Sequence, residues 1–191
     1  MLAECGTNMA MTGRGPRKPR PHLEAESLQS LALRYVERFA TSRAKLAAYL
    51  HRKLRERGWG GPGQPDIAAL VARFAELGYV DDRGFALSKA RSLGARGYGA
   101  RRVNQALHHA GIDEADRTEA DRQVEADALE SALRYARRKR LGPFASAEMD
   151  RAMRDKALAA MIRAGHSFET ARRIVQMEPG AAVDRLTLGE A

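Results

Sequence analysis

Three glycines at near-equal intervals constrain the fold of this chain more than any other feature of its sequence. They are Gly58, Gly111 and Gly165, which lie 53 and 54 residues apart. Each closes a segment whose apolar residues have helical spacing, and glycine commonly follows the last turn of a helix because it tolerates a left-handed backbone. A helix ending that returns at a fixed interval indicates an internal repeat.

A second correspondence places the repeats in register. Residues 32–35 and 132–135 both read Ala-Leu-Arg-Tyr, which puts Tyr35 23 residues before Gly58 and Tyr135 30 residues before Gly165. The longer interval in the third repeat predicts a loop insertion at residues 140–144, whose sequence Arg-Leu-Gly-Pro-Phe is unfavourable for a continuous helix.

The apolar spacing predicts three helices in each repeat. In the first repeat, one helix begins at Ser27, the next follows an N-cap at Thr41 or Ser42, and the third is capped by Asp66. So small a unit buries too little surface alone, and neighbouring units must therefore pack on one another. The sequence predicts an all-α fold of three tandem three-helix repeats that form an elongated, curved rod. The predicted boundaries are a flexible basic N-terminal arm at 1–26, repeats at 27–82, 83–126 and 127–178, and a C-terminal tail at 179–191.

The charge of the chain predicts an anionic partner. A formal net charge of +9 attracts nucleic acid, an acidic membrane surface or an acidic protein face, and charge alone does not choose among these. No apolar stretch is long enough for a transmembrane helix. The single Cys5 excludes an intrachain disulfide, and the N-terminal stretch lacks the apolar core of a secretory signal. We therefore expect a cytoplasmic protein that does not bind membranes.

The histidines predict no metal site. His108 and His109 are adjacent, so their side chains leave a helix about 100° apart and do not form the ligand pair that a spacing of three or four would give. His51 and His166 have no partner that the sequence identifies.

Other catalytic patterns are also absent from the sequence. The glycine-rich run at residues 94–99 has neither a preceding strand nor a following P-loop lysine, so it predicts a turn between helices. Asp81 and Asp82 precede a predicted helix, where they favour an N-cap over a cation site. Because no nucleophile is accompanied by a recognisable base, the sequence predicts a binding protein that is not an enzyme and needs no metal or cofactor.

Positive charge is segregated along the chain. Residues 83–112 contain six Lys or Arg residues and no acid, and residues 134–140 contain five basic residues and no acid. Clusters of one sign concentrate the field, which favours contact with a phosphate backbone, although ordinary solvated helix faces remain the alternative. Trp59, Phe74, Tyr79 and Phe85 are assigned to packing, so the sequence predicts no platform for stacking bases.

Motifs in the middle repeat resemble those of a known family. They are Leu77-Gly78-Tyr79-Val80-Asp81-Asp82, then Phe85-Ala86, then Gly97 to Val103, and Leu107 through Gly111-Ile112. Together they resemble the regulatory protein RecX, over about residues 27–178. The chain departs from that pattern at Lys45, where the family commonly has an acid, and in a lengthened first repeat.

The resemblance implies tandem three-helix repeats, no catalysis and a role in DNA repair and the SOS response. It further implies binding along the groove of a RecA–DNA filament, with modulation, usually inhibition, of strand exchange, ATP hydrolysis and LexA-type coprotease activity. Combined with the charge clusters, it predicts a monomer that contacts RecA or DNA phosphates without sequence specificity. The predicted contact residues are Lys89, Arg91, Arg96, Arg101 and Arg102 in the middle repeat and Arg137, Arg138 and Arg140 in the third. The alternative is a general helical-repeat nucleic-acid binder without a RecA partner.

Overall fold

The computed structural model describes residues 21–183, and within that range the chain forms nine α-helices, one 3-10 turn and no strand. The prediction of an all-α fold is confirmed. The helices are α1 (Ala25–Arg38), α2 (Arg43–Arg57), α3 (Ile67–Glu76), α4 (Asp82–Ala95), α5 (Ala100–His109), α6 (Glu114–Ala126), α7 (Ala128–Lys139), α8 (Arg151–Arg163) and α9 (Phe168–Gln176). Most of the predicted N-terminal arm lies outside the described residues, and the tandem repeat, its boundaries and the curvature of the rod stay predictions.

The buried apolar side chains form three clusters, and each cluster draws on three consecutive helices. We call α1–α3 the first unit, α4–α6 the second unit and α7–α9 the third unit. Leu46 in the first unit, Leu107 in the second and Met161 in the third have no exposed surface. Burying one such side chain contributes about 1.5–3 kcal/mol, which short amphipathic helices obtain only by packing against each other.

Side-chain caps fix where several helices begin. Ser42 Oγ accepts a hydrogen bond from the Lys45 amide at 3.2 Å, and Asp81 Oδ1 accepts one from the Gly84 amide at 3.0 Å. Both N-caps were predicted and are confirmed. The start of α1 at Ser27 was wrong, because Ser27 Oγ accepts from the Glu24 amide at 2.8 Å and this capping box moves the start to Ala25.

The three repeated glycines have a common backbone conformation. Their φ angles are 74° at Gly58, 65° at Gly111 and 99° at Gly165, in the region that side chains with a Cβ rarely adopt. After α5, Ile112 N donates to Leu107 O at 3.2 Å, and after α8, His166 N donates to Met161 O at 3.2 Å. These bonds satisfy carbonyls that the ends of the helices leave free.

The predicted loop insertion lies between α7 and α8. Arg140 ends α7 with a φ of 55°, and the 3-10 turn Gly142–Phe144 follows directly. A left-handed residue followed by Gly and Pro prevents α7 from continuing. At this end of α7, residues 137–140 of the basic run of the third unit are exposed.

Candidate functional site

The turn that joins α4 to α5 is bonded to the turn that joins α8 to α9, and we call this contact the second junction. Gly99 N donates to Ala164 O at 3.0 Å, and Arg101 N donates to Gly165 O at 3.1 Å. A Cβ on Gly99 would lie 2.5 Å from the Gly165 carbonyl carbon and 2.6 Å from His166 N. The second junction thus brings two backbones into contact at a distance that only glycine permits.

His166 lies buried at the second junction. Its Nε2 is 3.1 Å from Gly97 O, and because a carbonyl only accepts, the ring donates this hydrogen bond. Burial lowers the pKa of His166, and the hydrogen bond to Gly97 opposes that shift only partly. The sequence interpretation found no partner for His166. The structure supplies that partner, which lies 69 positions away, where no local spacing reveals it.

Next to the second junction lies a groove lined by cations. It consists of two adjoining hollows of about 430 and 620 Å³, which share Tyr135, Lys139, Ala160 and Arg163. We call it the basic groove. Its cationic lining residues are Arg138, Lys139, Arg140, Lys156 and Arg163. The one acid in the lining, Glu148, lies 3.3 Å from Arg154.

Aromatic rings orient the cations at one end of the basic groove. The Arg96 guanidinium lies 5.3 Å from the centre of the Tyr98 ring, and the Arg138 guanidinium lies 5.8 Å from the same ring. Arg138 also lies 5.4 Å from the centre of the Tyr135 ring and donates to the carbonyl of Arg96. Cation–π contacts hold a guanidinium in place without neutralising it.

The cations of the basic groove have no acidic partners among the described residues. Within residues 21–183, no salt bridge involves Arg138, Lys139, Arg140, Lys156 or Arg163. Like charges that line one groove repel one another, and an anion that enters the groove relieves that repulsion. The arrangement therefore favours binding of a polyanion.

The contact between the first and second units, which we call the first junction, has the opposite character. Arg43 Nε lies 3.0 Å from Asp82 Oδ2, and a second nitrogen of Arg43 forms an ion pair with Asp116. Arg83 Nε lies 3.1 Å from Asp116 Oδ1. The hydrogen bond to Asp82 raises the pKa of Arg43 further. Ser42 adds a hydrogen bond to Ala110 O at 2.5 Å. Cations at the first junction are therefore neutralised within the protein.

The structure gathers only part of the predicted contact residues at one place. Arg96, Arg138 and Arg140 lie along the basic groove, and Arg101 and Arg102 lie in the first turn of α5 at the second junction. Arg137 instead lies 4.9 Å from the Phe144 ring, and Lys89 lines a separate hollow beside Tyr79. Arg91 is exposed on α4.

Sequence reasoning missed three of the groove cations. Lys139 belonged to the basic run without being chosen, and Lys156 and Arg163 lie on α8, outside that run. A signal for Arg163 was present, because it lies two residues before Gly165 in the repeated helix ending.

Within residues 21–183, no group of three or more His, Cys, Asp or Glu residues is placed to hold a metal ion. No helix in that range is long and apolar enough to cross a membrane.

The fold and the groove define an all-helical protein with a cationic surface on its third unit, bordered by the Tyr98 and Tyr135 rings. No family model matches the sequence. The chain is 33% identical to the regulatory protein RecX of Myxococcus xanthus over 174 residues, which cover 87% of this chain and 92% of that protein. It is 28% identical to the regulatory protein RecX of Mycobacterium avium, over 87% of this chain and 95% of that protein.

Solved structures show the same fold. The crystal structure of RecX from Lactobacillus salivarius matches 79% of this chain and 94% of its own, with a TM-score of 0.57 and 19% identity. A second crystal structure, of a regulatory protein RecX, matches with a TM-score of 0.54 and 20% identity. The chain belongs to the RecX family of regulatory proteins. The resemblance predicted from the middle repeat is confirmed.

Proposed function

We propose that this protein binds in the groove of the RecA–DNA filament and lowers the recombinase, ATPase and coprotease activities of RecA. The observation that carries this proposal is the set of unpaired cations in the basic groove. The relatives named regulatory protein RecX support a regulatory role, and the cationic groove supports a polyanionic target.

The cations of the basic groove favour binding to phosphates, with an affinity that depends on the salt concentration. Each phosphate that a Lys or Arg neutralises releases condensed counterions, so log affinity falls by about 0.9 per contact per log unit of salt on duplex and about 0.7 on single strands. Five cations line the groove, and Arg101 and Arg102 lie in the first turn of α5 at the adjoining second junction. We expect binding to weaken steeply as the salt concentration rises.

The rigidity of the surface around the groove favours a target whose binding groups are held at fixed positions. The hydrogen bonds of the second junction and the buried His166 hold the second and third units together beside the groove. A surface whose cations are held in place loses less conformational freedom on binding. Such a surface suits a filament, in which protein and phosphates repeat at fixed positions. We further propose that the protein acts as a cytoplasmic monomer in DNA repair and the SOS response.

The alternative is a general nucleic-acid binder without a RecA partner, and the unpaired cations are compatible with it as well. It predicts the same salt-sensitive affinity for bare DNA and for DNA coated with RecA. The filament proposal predicts tighter binding to the coated strand. Anisotropy titrations of a labelled oligonucleotide with and without RecA separate the two.

The direct test is ATP hydrolysis by RecA on single-stranded DNA, with and without this protein. The proposal predicts a lower rate, and an unchanged rate at saturating protein contradicts it.

The double variant Arg101→Glu with Arg102→Glu is expected to weaken filament binding while the far-ultraviolet circular dichroism stays unchanged, because both side chains are exposed. If neither this variant nor charge reversal in the third unit alters binding, the proposed face is wrong.

A further inference from the structure

The first unit carries a cluster of three aromatic rings, which belong to Tyr35, Phe39 and Tyr49. Tyr35 and Tyr49 stack with ring centres 4.2 Å apart and planes 14° from parallel. Phe39 follows the end of α1, four residues after Tyr35, and its ring centre lies 5.4 Å from that of Tyr35. The Phe39 side chain is 49% exposed, so it does not contribute to the core as its two neighbours do.

Cations surround these rings. Arg38 lies 5.5 Å from the centre of the Phe39 ring, and Arg52 lies 5.6 Å from that of Tyr49. With Arg34, these residues line a hollow of about 430 Å³, within the range of about 300–1,000 Å³ that small-molecule sites occupy. Arg52 is 3.7 Å from Glu56, whereas no salt bridge among residues 21–183 involves Arg34 or Arg38.

We propose that this hollow binds an unpaired nucleobase against Phe39, while Arg34 and Arg38 contact the phosphates on either side of it. The ligand is therefore single-stranded nucleic acid. A half-exposed ring beside a stack of two others offers a flat apolar face, and every base has a complementary face. The flanking guanidinium groups supply both charge for phosphates and planes for stacking.

The geometry selects a single strand over a duplex. In a duplex each base is stacked between its neighbours and offers no free face, so only an unpaired strand uses both the ring and the cations. The site lies on the first unit, whereas the cations of the basic groove all lie on the third unit. It needs no RecA, so its test is independent of the filament proposal.

The test compares single strands that carry bases with a strand that carries none. Fluorescence anisotropy measures the affinity of the full chain for oligothymidylate, for oligouridylate and for an abasic deoxyribose-phosphate strand of equal length and charge. One stacked base predicts that the wild type binds at least one of the base-bearing strands about tenfold more tightly than the abasic strand. Phe39→Ala should remove that difference, and Phe39→Trp should keep it.

Phe168→Ala provides a matched control, because Phe168 is an exposed ring of similar accessibility, 55%, at the start of α9 in the third unit. We expect this variant to retain the preference for bases. Equal affinity of the wild type for all three strands would overturn the proposal. The proposal is also overturned if Phe39→Ala keeps the preference, or if Phe168→Ala removes it to the same extent. Circular dichroism checks that each variant is folded.

Discussion

The two junctions between units are built from different chemistry. At the first junction, side-chain charges meet: Arg43 pairs with Asp82 and Asp116. At the second junction, backbone meets backbone through Gly99 and Gly165, and no acid takes part in those hydrogen bonds. The difference shows how one chain both joins its units and keeps a cationic surface. Where glycine provides the contact, the neighbouring groove cations form no salt bridge within residues 21–183, which favours binding of an external anion.

The segregation of charge along the sequence corresponds to the difference between the two junctions. The acids that follow Ile112 lie at the start of α6, and one of them, Asp116, reaches the first junction. Neither Lys139 nor Arg163 forms a salt bridge within the described residues. Charges are therefore paired at the first junction, whereas these cations of the third unit, beside the second junction, have no salt bridge among the described residues.

Gly99→Ala should have the largest effect on stability, because it tests whether close backbone contact holds the second junction. The added methyl would overlap the Gly165 carbonyl and His166 N, and overpacking of this kind costs about 3 kcal/mol. Chemical denaturation measures the loss. Gly94→Ala is the matched control, since Gly94 lies within α4 with open space around its Cβ position, and alanine there should stabilise slightly. Equal effects of the two substitutions would contradict the proposed role of close contact.

Asp82→Asn should have the next largest effect, because it tests whether charge holds the first junction. Asp82 is 6% exposed and accepts from the Arg43 amide at 2.9 Å as well as from its guanidinium. Loss of the charge should lower the free energy of unfolding by about 2 kcal/mol, with less of a difference at high salt. Asp81→Asn is the control: Asp81 caps α4, a role that asparagine fills equally well. Equal losses would mean that the ion pair contributes nothing specific.

Acidification should lower the free energy of unfolding through His166, by a smaller amount than Asp82→Asn does. Burial lowers the pKa of His166 below its usual 6.5, so below that pH the unfolded chain binds a proton that the folded chain does not. Stability should therefore fall as the pH drops from about 6.5 to the folded pKa, and level off below it. His166→Gln, which still donates to Gly97 O, should reduce this slope. His109→Gln, on an exposed position of α5, should leave it unchanged. If His109→Gln reduced the slope and His166→Gln did not, His166 would not be the group responsible.

Charge reversal in the basic groove should have the smallest effect on stability. Lys139→Glu with Arg163→Glu removes no salt bridge found among the described residues, so the free energy of unfolding should change by no more than about 0.5 kcal/mol. A loss comparable to that of Asp82→Asn would show that these cations are structural. The groove would then lose its distinction from the first junction.

Local sequence patterns, such as apolar spacing and helix caps, predicted much of the fold. They did not predict contacts between residues that are far apart in the sequence. Caps such as Ser42 and Asp81 are readable because they act within three residues. The partner of His166 and the three-dimensional grouping of Arg96 with Arg138 depend on how units pack, which a periodicity does not specify. The position of Phe39, four residues after Tyr35, has the spacing of an apolar helical stripe and predicts a place in the core. The helix ends one residue earlier, and this leaves the ring exposed.

The most direct test of the account measures ATP hydrolysis by RecA on single-stranded DNA in the presence of three proteins. These are the wild type, the groove variant Lys139→Glu with Arg163→Glu, and a control of equal charge, Arg55→Glu with Arg73→Glu, on exposed positions of α2 and α3. The account predicts that the wild type and the control lower the rate, whereas the groove variant leaves it near that of RecA alone. Inhibition by the groove variant equal to that of the wild type would contradict it.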